Sequence, residues 1–229
     1  MSVWYVVPSA TDKFEATSLP LWQSRGYRVA VFRNAGASPF PKADMVVMGK
    51  YYGYTRATND LCRAVFETDT RADVVIAGGD DIDPDPHATP DQVVEQFKEH
   101  FGGTFGVMQP TGDRWMIDES GKAASERICG SPWLGKDFIR RMYQGKGAFC
   151  EAYFHFFCDE ELWHIATKLE VLWQRRDLTH HHHHWSREGR PRPKYLHPAR
   201  LNWDDARVLF NRRREAGFPG HEPLAVAIA

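Results

Sequence analysis

Asp73-Val74-Val75-Ile76-Ala77-Gly78-Gly79-Asp80-Asp81-Ile82-Asp83-Pro84-Asp85-Pro86 is the stretch on which the reading of this chain turns. A short run with an apolar interior leads into a glycine pair and then into four carboxylates within six positions. A strand that is apolar without alternation is buried on both faces, the pattern of a parallel sheet covered by helices. In open sheets of that kind, ligands bind outside the carboxyl ends of the strands. The acidic residues sit at that end. Carboxylates held close together repel one another, and a hard divalent cation with oxygen ligands offsets that cost while also taking phosphate oxygens from a substrate. Proline-punctuated acidic turns are also common as plain solvated loops. The apolar strand running straight into this one favours a ligand site.

The surrounding sequence supports the same class. Val3-Trp4-Tyr5-Val6-Val7 reads as a first strand ended by Pro8-Ser9, residues 28–32 as a second and residues 44–48 as a third. Residues 12–25 read as a helix closed by Gly26, and residues 55–68 as a helix with Thr55 as N-cap. Further on, the pattern predicts a helix over 90–101 capped by Thr89, a strand over 104–108, and helices over 133–143, 159–173 and 203–216. Residues 186–200, rich in Pro and Arg, read as an extended segment. This order predicts an α/β fold with a mostly parallel sheet flanked by helices and a C-terminal helical extension.

Composition sets the bounds. The 229 residues suffice for one compact domain, and a formal net charge of −1 gives no global attraction to nucleic acid or membrane. No apolar run approaches the roughly 20 residues that span a bilayer. The opening MSVWYVVPSATDKFE reads as a strand rather than a signal peptide. Cys62, Cys129, Cys150 and Cys158 form no CxxC pair and read as buried free thiols of a cytoplasmic protein.

Two further stretches carry chemistry. Residues 179–185 read Thr-His-His-His-His-His-Trp. In an extended conformation His180, His182 and His184 share one face, and neutral imidazole is a common metal ligand. The other is Asp159-Glu160-Glu161, which follows the aromatic run Tyr153-Phe154-His155-Phe156-Phe157. Acidic residues suit the start of a helix; a carboxylate at the rim of an aromatic pocket also suits proton abstraction from a hydroxyl.

Taken in order, these motifs resemble the nucleotide-sugar-binding half of the family 2-like GT-A glycosyltransferases. The match rests on Pro8-Ser9, on Gly53-Tyr54 leading into a helix with Asn59, and on a strand ending in Asp80-Asp81 before Pro84-Asp85-Pro86. It continues through Asp159, Glu161 and Leu162, similar to the family's catalytic-base segment, and covers residues 3–185. A compact form with a tail is similar to bacteriophage-encoded glycosyltransferases. One departure is Phe32-Arg33-Asn34, where many relatives carry an acidic residue that contacts the base or ribose.

The resemblance implies a GT-A-like catalytic domain over 1–185, with 1–90 binding the nucleotide sugar and 91–185 the acceptor, followed by a basic segment and helix over 186–229. It implies a hexosyltransferase-like enzyme moving a sugar from a nucleoside diphosphate-sugar, foremost a UDP-sugar, to a hydroxyl acceptor with inversion. Modified DNA is one such acceptor. The cofactor is Mn²⁺ or Mg²⁺. Metal ligands are Asp81, Asp83 (the literal DxD register), His180 and His182; catalytic residues are Asp159 and Glu161. Donor contacts fall to Pro8, Ser9, Arg33, Gly53, Tyr54, Asn59 and Asp80. Acceptor contacts fall to Trp133 and Gly130, with Trp115 and Trp163 as further stacking candidates. The rival readings are a nucleotidyltransferase, for which residues 8–13 make a poor phosphate loop, and a non-catalytic nucleic-acid or metal-binding module using the Arg-rich stretch 187–214.

Overall fold

The computed structural model describes residues 2–192 and 197–222. Its strands are β1 (Ser2–Pro8), β2 (Arg28–Asn34), β3 (Met45–Gly49), β4 (Ala72–Ala77), β5 (Ile82–Asp83), β6 (Val107–Pro110), β7 (Trp133–Gly135), β8 (Leu172–Arg175) and β9 (His181–His182). Seven of them form one sheet in the order β3-β2-β1-β4-β7-β6-β8, and β5 pairs with β9 separately. Strands β1 to β4 are mutually parallel, β7 runs antiparallel to both β4 and β6, and β6 is parallel to β8.

Side-chain alternation sends each central strand to two cores. Trp4, Val6, Val75 and Ala77 pack with Leu61 and Val65 of α3 (Tyr54–Thr68) and with Leu162 and Ile165 of α6 (Cys158–Lys168). Tyr5, Val7, Val74 and Ile76 pack on the other face. There they meet Leu19 and Trp22 of α2 (Ser18–Ser24) and Val93 and Phe97 of α4 (Pro90–Phe101). Helices therefore cover both faces, as the unbroken apolar strands require. The C-terminal helices are α7 (His197–Leu201) and α8 (Trp203–Glu215); Phe210 of α8 joins the α3–α6 core. All four cysteines are buried and free. Among the described residues no helix is long and apolar enough to cross a membrane.

Several boundaries differ from expectation. The helix expected over 12–25 is split into α1 (Lys13–Ala16) and α2 at Thr17, whose ψ of −91° leaves the helical region. Residues 133–135 are strand β7, and the helix α5 (Lys136–Arg141) begins after them. Gly135 makes this possible, because a Cβ there would meet the Thr104 carbonyl oxygen at 2.0 Å. The helix expected to reach 173 ends at Lys168; Glu170 turns the chain with a φ of +58° into β8. Thr55 lies inside α3 and donates to the Tyr153 carbonyl at 2.6 Å, while Gly53 holds the N-cap position. Of the segment expected to be extended over 186–200, residues 193–196 lie outside the described residues, and 197–200 begin α7.

Chain order positions the site. After β3 the chain crosses back over β1 to add β4 on the opposite side, so the carboxyl ends of β1 and β4 flank the point where strand order reverses. Ser9 follows β1 and Asp80 follows β4.

Candidate active site

The glycine pair after β4 allows a close turn. Gly78 donates to the Val6 carbonyl, and the Tyr5 hydroxyl donates to the Gly79 carbonyl at 2.5 Å. This delivers Asp80 to Ser9, whose hydroxyl donates to Asp80 Oδ2 at 2.8 Å. Burial pushes the Asp80 carboxyl up to about 6, assisted by the charge of Asp81 and opposed by the Ser9 hydrogen bond.

The histidine run reaches the acidic cluster through the β5–β9 ladder. Ile82 pairs with His182 and Asp83 with His181, and the His183 amide donates to the Asp81 carbonyl at 2.8 Å. Trp22 Nε1 anchors this ribbon by donating to the Ile82 carbonyl at 2.8 Å. Alternation then separates the histidines. His182 Nε2 sits 3.3 Å from Asp81 Oδ1, with His184 beside it at 5.3 Å between ring centres. His183 pairs elsewhere, 2.6 Å from Asp83 Oδ2 and 2.7 Å from Glu188 Oε1. Burial acts to raise the Asp81 carboxyl. The His182 hydrogen bond and the charges of His182 and His184 outweigh it and hold the group below the usual carboxylate range.

A cavity of about 530 Å³ opens beside this cluster. Its lining includes Asp80, Asp81, Asp83 and Glu188, the cations Lys13 and Arg190, and Trp185. Asp159, at the start of α6, lies within the electrostatic reach of His182, and burial raises its carboxyl. Its Oδ1 accepts the Glu160 amide at 3.1 Å. Near it, burial pushes the Tyr54 hydroxyl well up, with Cys158 and Asp159 adding to the shift. Burial lowers His155 to about 4, against the nearby Asp81 charge. A larger groove of about 920 Å³ runs along Gln96, His100, Trp173 and Arg175. It holds none of these groups, and Trp173 is already covered by His100 and Arg175.

No protein-family model and no curated protein sequence matches the chain. Solved structures do. A point mutant of Drosophila β-1,4-galactosyltransferase 7, in complex with manganese, UDP-Gal and xylobiose, superposes with a TM-score of 0.50 at 11% identity. That match covers 85% of this chain and 76% of the other. The fold is a GT-A-like glycosyltransferase fold. Two more distant likenesses are a protein from STIV (TM-score 0.47, 11% identity, 80% and 85% covered) and a glycosyltransferase involved in glycosylation of the major capsid of PBCV-1 (TM-score 0.36, 8% identity, 60% and 61% covered).

Within the GT-A-like fold, the expected site residues divide. Ser9, Asp80, Asp81, His182 and Asp159 converge at the carboxyl edge of β1 and β4. Pro8 ends β1 there, and Gly53 and Tyr54 open α3, with the Tyr54 amide bonded to the Phe154 carbonyl at 2.6 Å. Gly53 has a φ of +113°, and a Cβ on it would meet the Phe154 carbonyl oxygen at 2.5 Å. Gly53→Ala should therefore cost roughly 2–4 kcal/mol in urea unfolding, through forbidden backbone geometry and a backbone clash.

The other expected residues have internal duties. His180 is a core residue, not a metal ligand: Nδ1 meets Ser131 Oγ at 3.0 Å, Trp133 Nε1 faces Nε2 at 3.4 Å, and Trp22 packs against the ring. Trp133 is itself buried in β7 and offers no stacking face to an acceptor. Asp83 Oδ2 is taken up by His183 while Asp81 pairs with His182, although both carboxylates line the same cavity. Glu161 is 1% exposed and saturated: Oε1 accepts from Tyr143 and Arg213, and Oε2 from Tyr153 and Arg213. It has no oxygen left for a substrate proton. Asn59 is buried and bonds the Phe149 carbonyl at 2.9 Å. Arg33, also buried, ties the Ser9 and Ser38 carbonyls to Asp12. Gly130 is exposed in the loop before β7. Trp115 stands beside His182 and His184, and Trp163 packs at the α6 core. Lys13, His155, Trp185 and Arg190 are the site neighbours that motif reading missed. Only fold geometry brings them together, since they lie in three separate segments, Trp185 and Arg190 sharing one turn.

His180 gives a pH prediction. Burial lowers it from 6.5 to about 4, so between those values the unfolded chain binds a proton that the folded chain refuses. Its stabilising share is complete above about 6.5 and is lost as pH falls toward about 4. The loss should be on the order of 3 kcal/mol, read as a falling urea midpoint between neutral and acid buffer, and His180→Gln should flatten that slope.

Proposed function

We propose that the chain is a metal-dependent glycosyltransferase that transfers a sugar from a nucleoside diphosphate donor, foremost a UDP-sugar, to a hydroxyl acceptor with inversion. The observation that carries this reading is the meeting of Asp81 with His182 at the strand-order switch point, beside the Ser9–Asp80 contact. The Drosophila structure of like fold holds manganese, UDP-Gal and xylobiose, which supports the same substrate class here.

The residues fit a divalent cation as a shared site rather than an all-protein cage. Among the described residues no group of three or more His, Cys, Asp or Glu side chains could hold a metal. Asp81 and His182 supply one oxygen and one nitrogen, and donor phosphates and water complete such a shell in Mg²⁺-type sites. Electrostatics argues for the ion. The cavity is lined by the four carboxylates Asp80, Asp81, Asp83 and Glu188 against the fixed cations Lys13 and Arg190, so an anionic diphosphate entering alone would be repelled. Asp83 Oδ1 is buried without a hydrogen-bond partner, a further sign that this carboxylate wall is not balanced within the protein. When bound, Mn²⁺ or Mg²⁺ would neutralise charge on the departing diphosphate as a Lewis acid.

The protein's own groups supply the rest. Ser9 and Asp80 border the donor at the end of β1. Lys13 and Arg190 offer charge to the phosphates. Asp159, raised by burial, takes the proton of the acceptor hydroxyl as its oxygen bonds to the anomeric carbon and the bond to the diphosphate breaks. Trp115, beside His182, offers a stacking face on the acceptor side. The division into a donor half over 1–90 and an acceptor half over 91–185 belongs to this proposal. A nucleic-acid surface draws little support from the Arg-rich stretch. Arg187, Arg190, Arg207 and Arg213 are paired with Asp113, Glu188, Asp204 and Glu161.

A thermal-shift screen of nucleoside diphosphates and sugar nucleotides, with and without Mn²⁺, tests the class directly. A metal-dependent rise with one nucleotide is expected, followed by diphosphate release when an acceptor is added. Equal turnover after chelation would remove the metal from the proposal, and the absence of any nucleotide response would overturn it.

A further inference from the structure

The C-terminal helix grips α6 on both sides of Asp159. On one side is Phe157, whose φ of +70° is a left-handed conformation that a bulky residue adopts only when its surroundings hold it. Trp203 and Phe210 of α8 pack on that ring at 4.9 and 5.5 Å between centres. On the other side is Glu161, which receives a two-pronged hydrogen bond from Arg213 of α8, Nε to Oε2 at 2.9 Å and Nη2 to Oε1 at 2.7 Å. Arg213 also donates to the Pro219 carbonyl at 3.0 Å, fixing the turn that follows α8. A planar guanidinium matches a carboxylate in this geometry as an ammonium does not. Asp159 lies between the two grips, and its carbonyl accepts the Cys129 amide at 3.2 Å.

We infer that Arg213 is a positioning residue for Asp159, acting through Glu161, and that α8 is the element that sets the first turn of α6 at the active site. The assignment rests on Asp159 being the proton acceptor. It gives the C-terminal extension a part in the chemistry, although α8 supplies no group to the cavity. Two independent contacts flank one residue, so losing either one frees the turn in a defined direction while the sheet stays intact.

Residue-resolved amide hydrogen exchange on the full chain tests this without a substrate. The Cys129 amide reports where the Asp159 carbonyl is, and the Glu161 amide, bonded to the Phe157 carbonyl at 3.0 Å, reports the turn. Arg213→Ala should raise exchange at both by roughly tenfold or more while amides of β1 and β4 keep their protection. Arg213→Lys, which keeps the charge but not the fork, should fall between. Trp203→Ala is the second variant should Arg213→Ala fail to fold, and it should free the same two amides. In a turnover assay with the responding sugar nucleotide, kcat should fall on the order of 100-fold with donor KM unchanged. Wild-type exchange at Cys129 and Glu161 in a folded variant would overturn the inference, as would loss of protection across the sheet in equal measure. If instead the exchange result holds but Asp159→Asn transfers at full rate, the clamp stands and the base assignment falls.

Discussion

Asp81→Ala is expected to abolish metal-dependent donor binding and to lower transfer at least ~1000-fold, since several kcal/mol of charge stabilisation on the leaving diphosphate would be lost. The fold should survive. The Asp81 side chain is paired with His182, and among the described residues it has no other hydrogen-bond or ion-pair partner. The backbone of the same residue holds the ribbon through the His183 amide, and alanine keeps that bond. The His182 hydrogen bond and the histidine charges hold the Asp81 carboxyl below its usual range, so its charge favours the fold at neutral pH, and alanine should cost a modest amount of thermal stability in the absence of metal without abolishing cooperative unfolding. The measurement is paired: donor binding by thermal shift with Mn²⁺, and unfolding without it. Asp81→Ala with wild-type metal response would remove this residue from the metal site, and His182 with it.

The acidic cluster was legible because its signals are local. An apolar run predicts a buried parallel strand, and β4 is one, with Asp80-Asp81 following its carboxyl end, where the rule for open sheets expects a ligand. The roles within the cluster were not legible. Asp81, Asp83 and Asp85 are alike in sequence, yet only Asp83 lies in β5, with Asp81 before it and Asp85 after it, and each takes different partners. Asp81 meets His182. Asp83 meets His183. Asp85 accepts the amides of His87, Ala88 and Thr179 and stitches the loop to the chain before β9. Register also decides the histidines. Alternation correctly groups His182 with His184, but His180 precedes the ladder and turns into the core beneath Trp22. Glu161 was misread for a related reason. Its partners Tyr143, Tyr153 and Arg213 lie up to 52 residues away, and no local pattern announces a buried carboxylate already saturated by them. Residues 133–135 carry an expectation of helix, and pairing with β4 and β6 makes them strand β7 instead.

Asp159→Asn and Glu161→Gln should fail in opposite ways. Asparagine at 159 is isosteric and can still accept the Glu160 amide, so the turn keeps its shape. What it loses is the ability to take a proton, which should lower transfer by about 10²–10⁴-fold. Stability should hold or rise, because burial already disfavours the charged carboxylate there. For the same reason the acid limb of kcat/KM in the native enzyme should fall above the ordinary carboxylate range, and it should vanish in Asp159→Asn. Glutamine at 161 meets the reverse situation. Its amide group faces hydroxyl and guanidinium donors that Glu161 had accepted, and Arg213 is left as a nearly buried charge without its partner. Breaking such a pair costs about 3–5 kcal/mol, visible in urea unfolding, with a rate loss only insofar as Asp159 is displaced. Two carboxylates in one helical turn would then be told apart by which quantity each controls. Full transfer in Asp159→Asn would end its role as the base, whereas native stability in Glu161→Gln would mean that the Arg213 pair holds nothing in place.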